Sequence, residues 1–303
     1  MKKIKQIISI VVALALLLSN VTFAVDLDTN ITITSNVEPT DVNREFQVTY
    51  NMSVDATTNL EAPAVVLAID RSGSMLFSDG AGHLVVDRVR VAVERFVTQF
   101  YINNPGGDLA IVSFGTGAVA HDNFKYNNTA EAAMNAFRFT YAYRYDYRYH
   151  SYQWDNWGTN QNYTNIGEAF EQSAKTVELA KKTNQDTNDV IILFSDGVPT
   201  TFKSSNDPNS KTGSYPTEDN QSTVYSYTEG QNAQAWADVI TVGYFGAYNN
   251  YPLTKAVAQS TLERAQNVGF YTTDELDQVD DLFETVLSSI EYLGTDSKIT
   301  EVV

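Results

Sequence analysis

Four runs of continuous apolar residues, rich in β-branched side chains, constrain the fold of this 303-residue chain more than any other feature. They lie at residues 64–69, 109–114, 190–194 and 239–245. Such runs are typical of strands in a parallel sheet that is covered on both faces. Between and after them, apolar residues recur at helical spacing in residues 85–100, 166–180, 257–265 and 276–292. The alternation predicts an α/β domain from about residue 62 to 293: a doubly wound, mostly parallel central sheet with helices on both faces.

Two further segments precede this domain and have a different pattern. Residues 30–36 and 45–54 alternate apolar and polar positions. This period of two predicts a pair of half-buried antiparallel strands. We therefore expect a small flanking β-strand region over residues 25–61.

The first 24 residues have the layout of an export signal. Lys2, Lys3 and Lys5 precede an apolar run over residues 7–18, and Ala24 provides a small residue for cleavage. The run is short for a full membrane span of about 20 residues, which favours a cleaved signal over an anchor. We therefore expect a secreted or extracellular protein of the bacterial cell surface, with no membrane span in the mature chain.

Charge and composition exclude several function classes. The chain has 20 Lys and Arg against 37 Asp and Glu, a net charge of -17, which argues against a nucleic-acid partner. It has no cysteine and three histidines, none in a zinc-binding spacing, so thiolate and histidine-built zinc sites are not expected. No nucleophile elbow, phosphate loop or Ser-His-Asp set is visible, so we do not expect an enzyme.

Oxygen-bearing side chains follow the apolar runs at three places. Asp70, Ser72 and Ser74 form an Asp-x-Ser-x-Ser loop after the first run, Thr164 precedes a helical pattern, and Asp196 follows the third run. Each piece alone is also typical of a capped turn. Together they fall on one predicted sheet edge, where open α/β sheets bind ligands. Carboxylate and hydroxyl oxygens suit a hard divalent cation such as Mg²⁺.

In these three pieces the chain resembles a von Willebrand factor A domain with a metal-ion-dependent adhesion site, from about Pro63 to Tyr292. The resemblance implies that Ser72 and Ser74 bind the metal through their hydroxyls and that Thr164 is the threonine of the second loop. It implies that Asp70 and Asp196 bind directly or through water. Mg²⁺ is the expected ion, with Mn²⁺ or Ca²⁺ as alternatives. In the family a carboxylate of the partner often completes the coordination.

Two segments depart from the family pattern, residues 138–162 and 202–230. The second is polar, and we expect both to emerge beside the metal as long insertions. Alternate tyrosines from 141 to 149 predict a strand with one aromatic face, and Arg138, Arg144 and Arg148 interleave with positive charge. We predict a ligand-binding surface in the first segment, made of Tyr143, Tyr145, Tyr147, Tyr149, Tyr152, Trp154 and Trp157. The alternative is that these aromatic side chains pack on the domain itself.

The flanking strands resemble the arrangement of Gram-positive surface and pilus-tip adhesins. That resemblance implies that residues 25–61 form part of an immunoglobulin-like sandwich, and that residues 294–303 begin a further β region that is cut short. The leading hypothesis is a metal-dependent adhesion module that binds a protein or glycan with an acidic group. The alternatives are an envelope or pilus assembly protein and, less favoured, a metal-dependent hydrolase in which Asp70 and Asp196 activate water.

Overall fold

The computed structural model describes residues 29–39, 46–56, 63–78, 82–123, 125–148, 150–154, 163–182, 189–203, 210–211 and 217–293. These residues fall into two units, one holding the first two strands and the other running from residue 63 to 293. The predicted export signal and residues 294–303 lie outside the described residues. Within the described ranges, no helix is long and apolar enough to cross a membrane.

The first unit contains two long antiparallel strands, β1 (Thr29–Pro39) and β2 (Phe46–Ala56). They pair along their whole length, with Thr29 opposite Ala56 and Pro39 opposite Phe46. The predicted pair of antiparallel strands is therefore present, and each strand is longer than its alternating pattern indicated. The immunoglobulin-like sandwich stays a prediction.

The second unit contains a six-stranded sheet and two hairpins. Its strands are β3 (Ala64–Asp70), β4 (Asp108–Phe114), β5 (Ala118–Ala120), β6 (Tyr143–Asp146), β7 (Ser151–Trp154), β8 (Asp189–Ser195), β9 (Thr201–Phe202), β10 (Ser210–Lys211), β11 (Asp238–Tyr244) and β12 (Gly269–Thr273). The sheet order is β12-β11-β8-β3-β4-β5, and its strands are parallel apart from β5, which is antiparallel to β4. The pairs β6–β7 and β9–β10 form the hairpins.

Helices cover both faces of this sheet. They are α1 (Val85–Asn103), α2 (Ala130–Thr140), α3 (Ile166–Lys181), α4 (Gln221–Ala233), α5 (Pro252–Ala265) and α6 (Val279–Leu293). Along β3, Val65, Leu67 and Ile69 pack with α1, α2 and α6, whereas Val66 and Ala68 pack with α3, α4 and α5. Because successive strand residues point to opposite faces, one apolar run contributes to two cores. The predicted doubly wound α/β fold is confirmed.

The polar insertion at residues 202–230 is not a long irregular loop, because helix α4 begins inside it. This helix has no apolar stripe that periodicity could detect. Its buried face carries Ser222, Thr223, Ser226 and Gly230. The Ser222 hydroxyl donates to the Pro199 carbonyl at 2.9 Å, and the Ser226 hydroxyl donates to the Ser222 carbonyl at 2.7 Å. Ser222 and Ser226 therefore satisfy their hydrogen bonds while buried.

The last helix also begins later than its pattern predicted. Residues Leu276–Gln278 form a short 3₁₀ turn, and α6 starts at Val279. Helix α2, which the sequence analysis did not assign, starts at the N-cap residue Thr129, whose side chain accepts a hydrogen bond from the Ala132 N–H. Its buried residues are few, which explains its weak apolar pattern.

Candidate metal centre

The topology brings three loops to one edge of the sheet. Strand β3 lies between β4 and β8, because the chain moves from β3 to one side and later returns to the other. At such a switch point the loops at the carboxyl ends of the strands diverge and leave a crevice. The loops after β3 and β8 and the segment that enters α3 meet there.

Asp70 ends β3 and is fully buried, with its carboxylate held from two sides. The Ser72 backbone N–H donates to Asp70 Oδ1 at 2.6 Å, and the Ser195 hydroxyl donates to Oδ2 at 2.6 Å. The chain then makes a 3₁₀ turn at Gly73–Leu76, which is anchored by the buried side chain of Met75. The geometry of the Asp-x-Ser-x-Ser loop is therefore fixed by core packing as well as by hydrogen bonds.

The two serines of this loop connect it to Asp196. Ser72 Oγ lies 2.9 Å from Ser74 Oγ, and Ser74 Oγ donates to Asp196 Oδ1 at 2.9 Å. Asp196 is fully buried, and none of the described residues offers a hydrogen-bond partner to its Oδ2 atom. A buried carboxylate oxygen without a partner is costly. It marks a place for a positively charged ligand.

Thr164 is positioned from both neighbouring loops. Its backbone N–H donates to Thr200 Oγ1 at 2.9 Å, and the Thr200 N–H donates back to the Thr164 carbonyl at 2.9 Å. The next residue, Asn165, donates its N–H to the Gly115 carbonyl at 2.7 Å and caps α3 by accepting from the Glu168 N–H. These contacts tie the start of α3 to the ends of β4 and β8.

Gly197 leaves a space that three oxygen atoms surround. A Cβ atom at this position would lie 3.5 Å from Ser74 Oγ, 3.6 Å from Thr164 Oγ1 and 3.4 Å from the Tyr248 hydroxyl. The oxygens of three separate segments therefore converge on one small volume beside Asp196. Such a cradle of hydroxyl and carboxylate oxygens fits a hard divalent cation.

The electrostatics of the site favour the same conclusion. Burial raises the pKa of Asp70 to about 6, although hydrogen bonds from Ser195 and Ser72 oppose the rise. Burial, followed by the nearby charge of Asp70, raises the pKa of Asp196 well above its usual range. Two buried carboxylates at one place repel each other, and a bound cation would relieve that repulsion. The five predicted ligands thus lie together and fit a metal ion.

The chemistry of this oxygen set is distinctive. No group of three Asp, Glu or His side chains in the described ranges is placed so that it could hold a metal ion. Three of the five predicted ligands, Ser72, Ser74 and Thr164, are hydroxyls, so the centre has only two carboxylates. Such a set supplies the hard oxygen ligands that Mg²⁺ and Ca²⁺ take in proteins.

Tyr248 is a residue of this site that the sequence analysis missed. It lies in a 3₁₀ turn, Gly246–Tyr248, that follows β11. Its pKa is raised by burial and by the charges of Asp196 and Asp70, whereas a hydrogen bond from the Val198 backbone opposes the rise. The available signal was positional, because Tyr248 follows the fourth apolar run at the same sheet edge. No motif marked it.

The tyrosine-rich segment forms a hairpin and not one continuous strand. Strand β6 covers Tyr143–Asp146 and pairs with β7, so Tyr147 lies in the turn. The turn begins where Asp146 Oδ1 accepts the Arg148 N–H at 2.8 Å, a local bond typical of Asx turns. Tyr141 belongs to the end of α2 and is buried. Tyr149 and Trp157 lie outside the described residues.

The predicted ligand-binding aromatic residues divide into two groups. The exposed fractions of Tyr145, Tyr147 and Tyr152 are 38%, 81% and 39%, and the Tyr145 ring makes edge contacts with the other two at 5.1 and 5.2 Å. Tyr143 and Trp154 are only partly buried but pack against the main core. The sequence left open whether these aromatic side chains form an exposed surface or pack on the domain. Some side chains of the hairpin are exposed and others are packed.

The arginines of this segment are less free than the sequence analysis expected. Arg138 Nε donates to Glu94 Oε1 at 2.8 Å, and Arg148 Nη2 lies 3.3 Å from Asp146 Oδ2. Arg144 is exposed and lies on β6. Because acidic side chains are abundant in this chain, the charges of Arg138 and Arg148 are matched within the domain.

Comparison with known proteins identifies the fold. Residues 65–198 match the family model of the von Willebrand factor type A domain. These residues therefore match the family that the motifs predicted. A search of curated proteins found no match.

Two solved structures of bacterial pilus proteins share this fold. The pilus adhesin SpaC of Lactobacillus rhamnosus GG, in an open conformation, has a TM-score of 0.60 and 16% identity, and the match covers 86% of this chain and 34% of SpaC. The PilB minor pilin of Streptococcus sanguinis has a TM-score of 0.58 and 11% identity, over 90% of this chain and 80% of PilB. The chain thus spans about one third of SpaC. At these identities the likeness is one of fold.

Proposed function

We propose that this protein is an adhesion module of the bacterial surface that binds its partner through a divalent cation. Asp70, Ser72, Ser74, Thr164 and Asp196 would hold the ion. The observation that carries the proposal is the buried Oδ2 atom of Asp196, which lacks a hydrogen-bond partner among the described residues beside a cradle of hydroxyls. When bound, the cation would supply a Lewis-acidic position for an oxygen atom of the partner.

The net charge of the protein supports an interaction that depends on the metal. At -17, the chain repels acidic molecules over most of its surface. A partner with an acidic group would therefore gain its attraction locally, at the cation. We expect Mg²⁺ as the ion, with Mn²⁺ or Ca²⁺ as alternatives, and a protein or glycan as the partner.

The exposed face of the hairpin extends this binding surface. Tyr145, Tyr147 and Tyr152 present aromatic rings to solvent, and their edge contacts hold them as one cluster. Tyrosine offers a rigid apolar surface with a polar tip, which is enriched in binding hot spots. These side chains would contact the parts of the partner that flank its acidic group.

The proposed setting is the cell surface or its exterior, and the proposed role is not enzymatic. The predicted export signal supports this setting. The two similar structures are those of a pilus adhesin and a minor pilin, which is compatible with it. The domain organisation proposed from the sequence, with a flank at 25–61 and the main domain at 62–293, is retained as part of the proposal.

Binding with and without metal tests the proposal. Purified residues 25–303 are presented to a panel of matrix proteins and glycans in Mg²⁺ or in EDTA. We expect binding that EDTA abolishes and that Asp70→Ala reduces at least about 100-fold with the fold intact by circular dichroism, because one carboxylate ligand is lost. Asp238→Ala is the matched control, since Asp238 begins β11 at the opposite edge of the sheet.

The outcomes separate the candidate functions. Binding that survives both EDTA and Asp70→Ala contradicts a metal-dependent module. A partner recovered only from the producing cell, in a metal-dependent manner, identifies assembly of the cell envelope as the role of the site.

A further inference from the structure

The hairpin of β6 and β7 makes direct contacts with the backbone of the Asp-x-Ser-x-Ser loop. The buried Tyr141 hydroxyl, just before β6, donates to the Asp70 carbonyl at 3.1 Å. Trp154, the last residue of β7, directs its Nε1–H to the Ser72 carbonyl at 3.4 Å. Two side chains of one insertion therefore hold the carbonyls of two predicted metal ligands.

Arg71, between those two ligands, packs against the same side chains. Its guanidinium lies 4.9 Å from the centre of the Trp154 ring, and the Trp154 and Tyr141 rings are 5.0 Å apart. The exposed fractions of Arg71 and Tyr141 are 2% and 1%. The attraction between a cation and an aromatic face is strongest where water is excluded. The loop and the base of the hairpin thus form one packed cluster.

The hairpin is also fixed from its side by helix α1. The Tyr143 hydroxyl donates to Asp87 Oδ1 at 2.6 Å, and Arg90 lies 3.2 Å from the same carboxylate oxygen. The Tyr143 ring meets the Trp154 ring at 6.3 Å with nearly perpendicular planes. Trp154 is therefore held in place by the hairpin, by helix α1 and by the Asp-x-Ser-x-Ser loop.

We propose that this hairpin sets the metal affinity of the site, with Tyr141 and Trp154 as positioning residues for Asp70 and Ser72. The inference rests on the proposed metal centre and deepens it. The peptide units at Asp70 and Ser72 determine where the carboxylate and the hydroxyl point. A loop whose carbonyls are already bonded loses less conformational entropy when its side chains bind an ion.

The coupling between metal binding and the order of the hairpin must act in both directions. If the ordered hairpin favours the metal-binding geometry, bound metal favours the ordered hairpin by the same factor. Metal should therefore slow hydrogen exchange at the backbone amides of β6 and β7. The exposed tyrosines of the hairpin would then be presented to a partner in a metal-dependent way.

Metal titration of Trp154 variants tests this inference without any partner. The metal alone is the probe, and Mg²⁺ affinity of the chain is measured by calorimetry. We expect Trp154→Ala to bind Mg²⁺ about tenfold more weakly, because loss of a residue that orients a ligand typically costs 10–100-fold in metal affinity. Trp154→Phe keeps the ring packing but removes the N–H donor. Its Mg²⁺ affinity should therefore lie between that of the unchanged chain and that of Trp154→Ala.

Trp236→Ala is the matched control, because Trp236 lies between α4 and β11, at the opposite edge of the sheet, and is 38% exposed. It should bind Mg²⁺ like the unchanged chain. In the unchanged chain, Mg²⁺ should slow hydrogen exchange at the backbone amides of β6 and β7.

If Trp154 has only a structural role, its substitution would lower the unfolding temperature in EDTA. The Mg²⁺ affinity of Trp154→Ala and Trp154→Phe would then equal that of the unchanged chain. That result overturns the inference. Hydrogen exchange in β6 and β7 that Mg²⁺ does not alter in the unchanged chain also overturns it, even if Trp154→Ala fails to fold. An unchanged chain that binds no Mg²⁺ overturns the proposed metal centre itself, which is a separate and earlier failure.

Discussion

Gly197 shows how much of the proposed site depends on a missing side chain. The nearest atoms to a Cβ at this position would be oxygens of Tyr248, Ser74 and Thr164, at 3.4, 3.5 and 3.6 Å. These are ordinary van der Waals distances, so the backbone could accept a methyl group here. The volume that the methyl group would occupy is the one toward which the oxygens converge.

Gly197→Ala should therefore separate folding from metal binding. We expect an unfolding temperature in EDTA close to that of the unchanged chain, and a Mg²⁺ affinity at least about tenfold lower, since Mg²⁺ demands near-ideal geometry at short oxygen distances. Calorimetry and thermal unfolding measure the two quantities. Equal Mg²⁺ affinities would show that the ion does not use this volume.

His121 makes the stability of the domain sensitive to pH outside the metal centre. Its Nε2 atom lies 3.0 Å from Ser113 Oγ, and burial lowers its pKa to about 4, helped by the Arg71 charge and opposed by Asp122. The unfolded chain would bind this proton near pH 6.5, before the folded chain does. The stability contributed by neutral His121 is therefore present above pH 6.5 and is lost as the pH falls toward 4.

Replacing His121 should flatten this pH dependence. Between pH 7 and pH 5, the free energy of unfolding of the unchanged chain should fall by about 2 kcal/mol more than that of His121→Gln. Urea unfolding in EDTA at the two pH values gives both differences. Equal losses in the two proteins would mean that His121 titrates normally.

At the scale of elements, helix α4 packs by close approach and not by large apolar side chains. A Cβ atom on Gly230 would lie 2.5 Å from Ala265 Cβ and 2.7 Å from the Ala265 carbonyl oxygen. The second of these contacts is with backbone, which cannot rotate away. Helices α4 and α5 therefore meet at a distance that only glycine permits.

Gly230→Ala should destabilise the domain despite the better helix propensity of alanine. Propensity favours the change by about 1 kcal/mol, whereas overpacking against backbone costs about 1–3 kcal/mol. We expect a lower unfolding temperature in a thermal scan. Val224→Ala, on the same helix at a site 37% exposed, is the control and should change it little. An unchanged or higher temperature for Gly230→Ala would show that the two helices can move apart freely.

For the whole molecule, the parts that the sequence predicted are those governed by local pattern. Continuous β-branched runs identify central strands, because only strands buried on both faces need them. The five predicted ligands could be located because each follows or precedes a recognisable element at the same sheet edge. Their placement therefore required only the order of strands and helices.

The remaining features depend on contacts between distant segments. Helix α4 buries serine, threonine and glycine, so no hydrophobic period reveals it. The division of the hairpin into exposed and packed aromatic side chains depends on Asp87, which binds Tyr143, and on Arg71, which packs on Trp154; no spacing within the hairpin shows either contact. Tyr248 comes to the site only through the turn after β11. Each of these is a property of tertiary packing.

The central position of β3 has a mechanical consequence. The Asp-x-Ser-x-Ser loop continues directly from the end of β3, which lies between β4 and β8. The start of β3, just after Pro63, is at the opposite edge of the sheet. A pulling force between a bound partner and the chain before residue 63 would run along the strand. It would load the hydrogen bonds to both neighbours at once, in shear, and could not open them one at a time. In the proposed adhesion role, the sheet would therefore resist tension applied along β3.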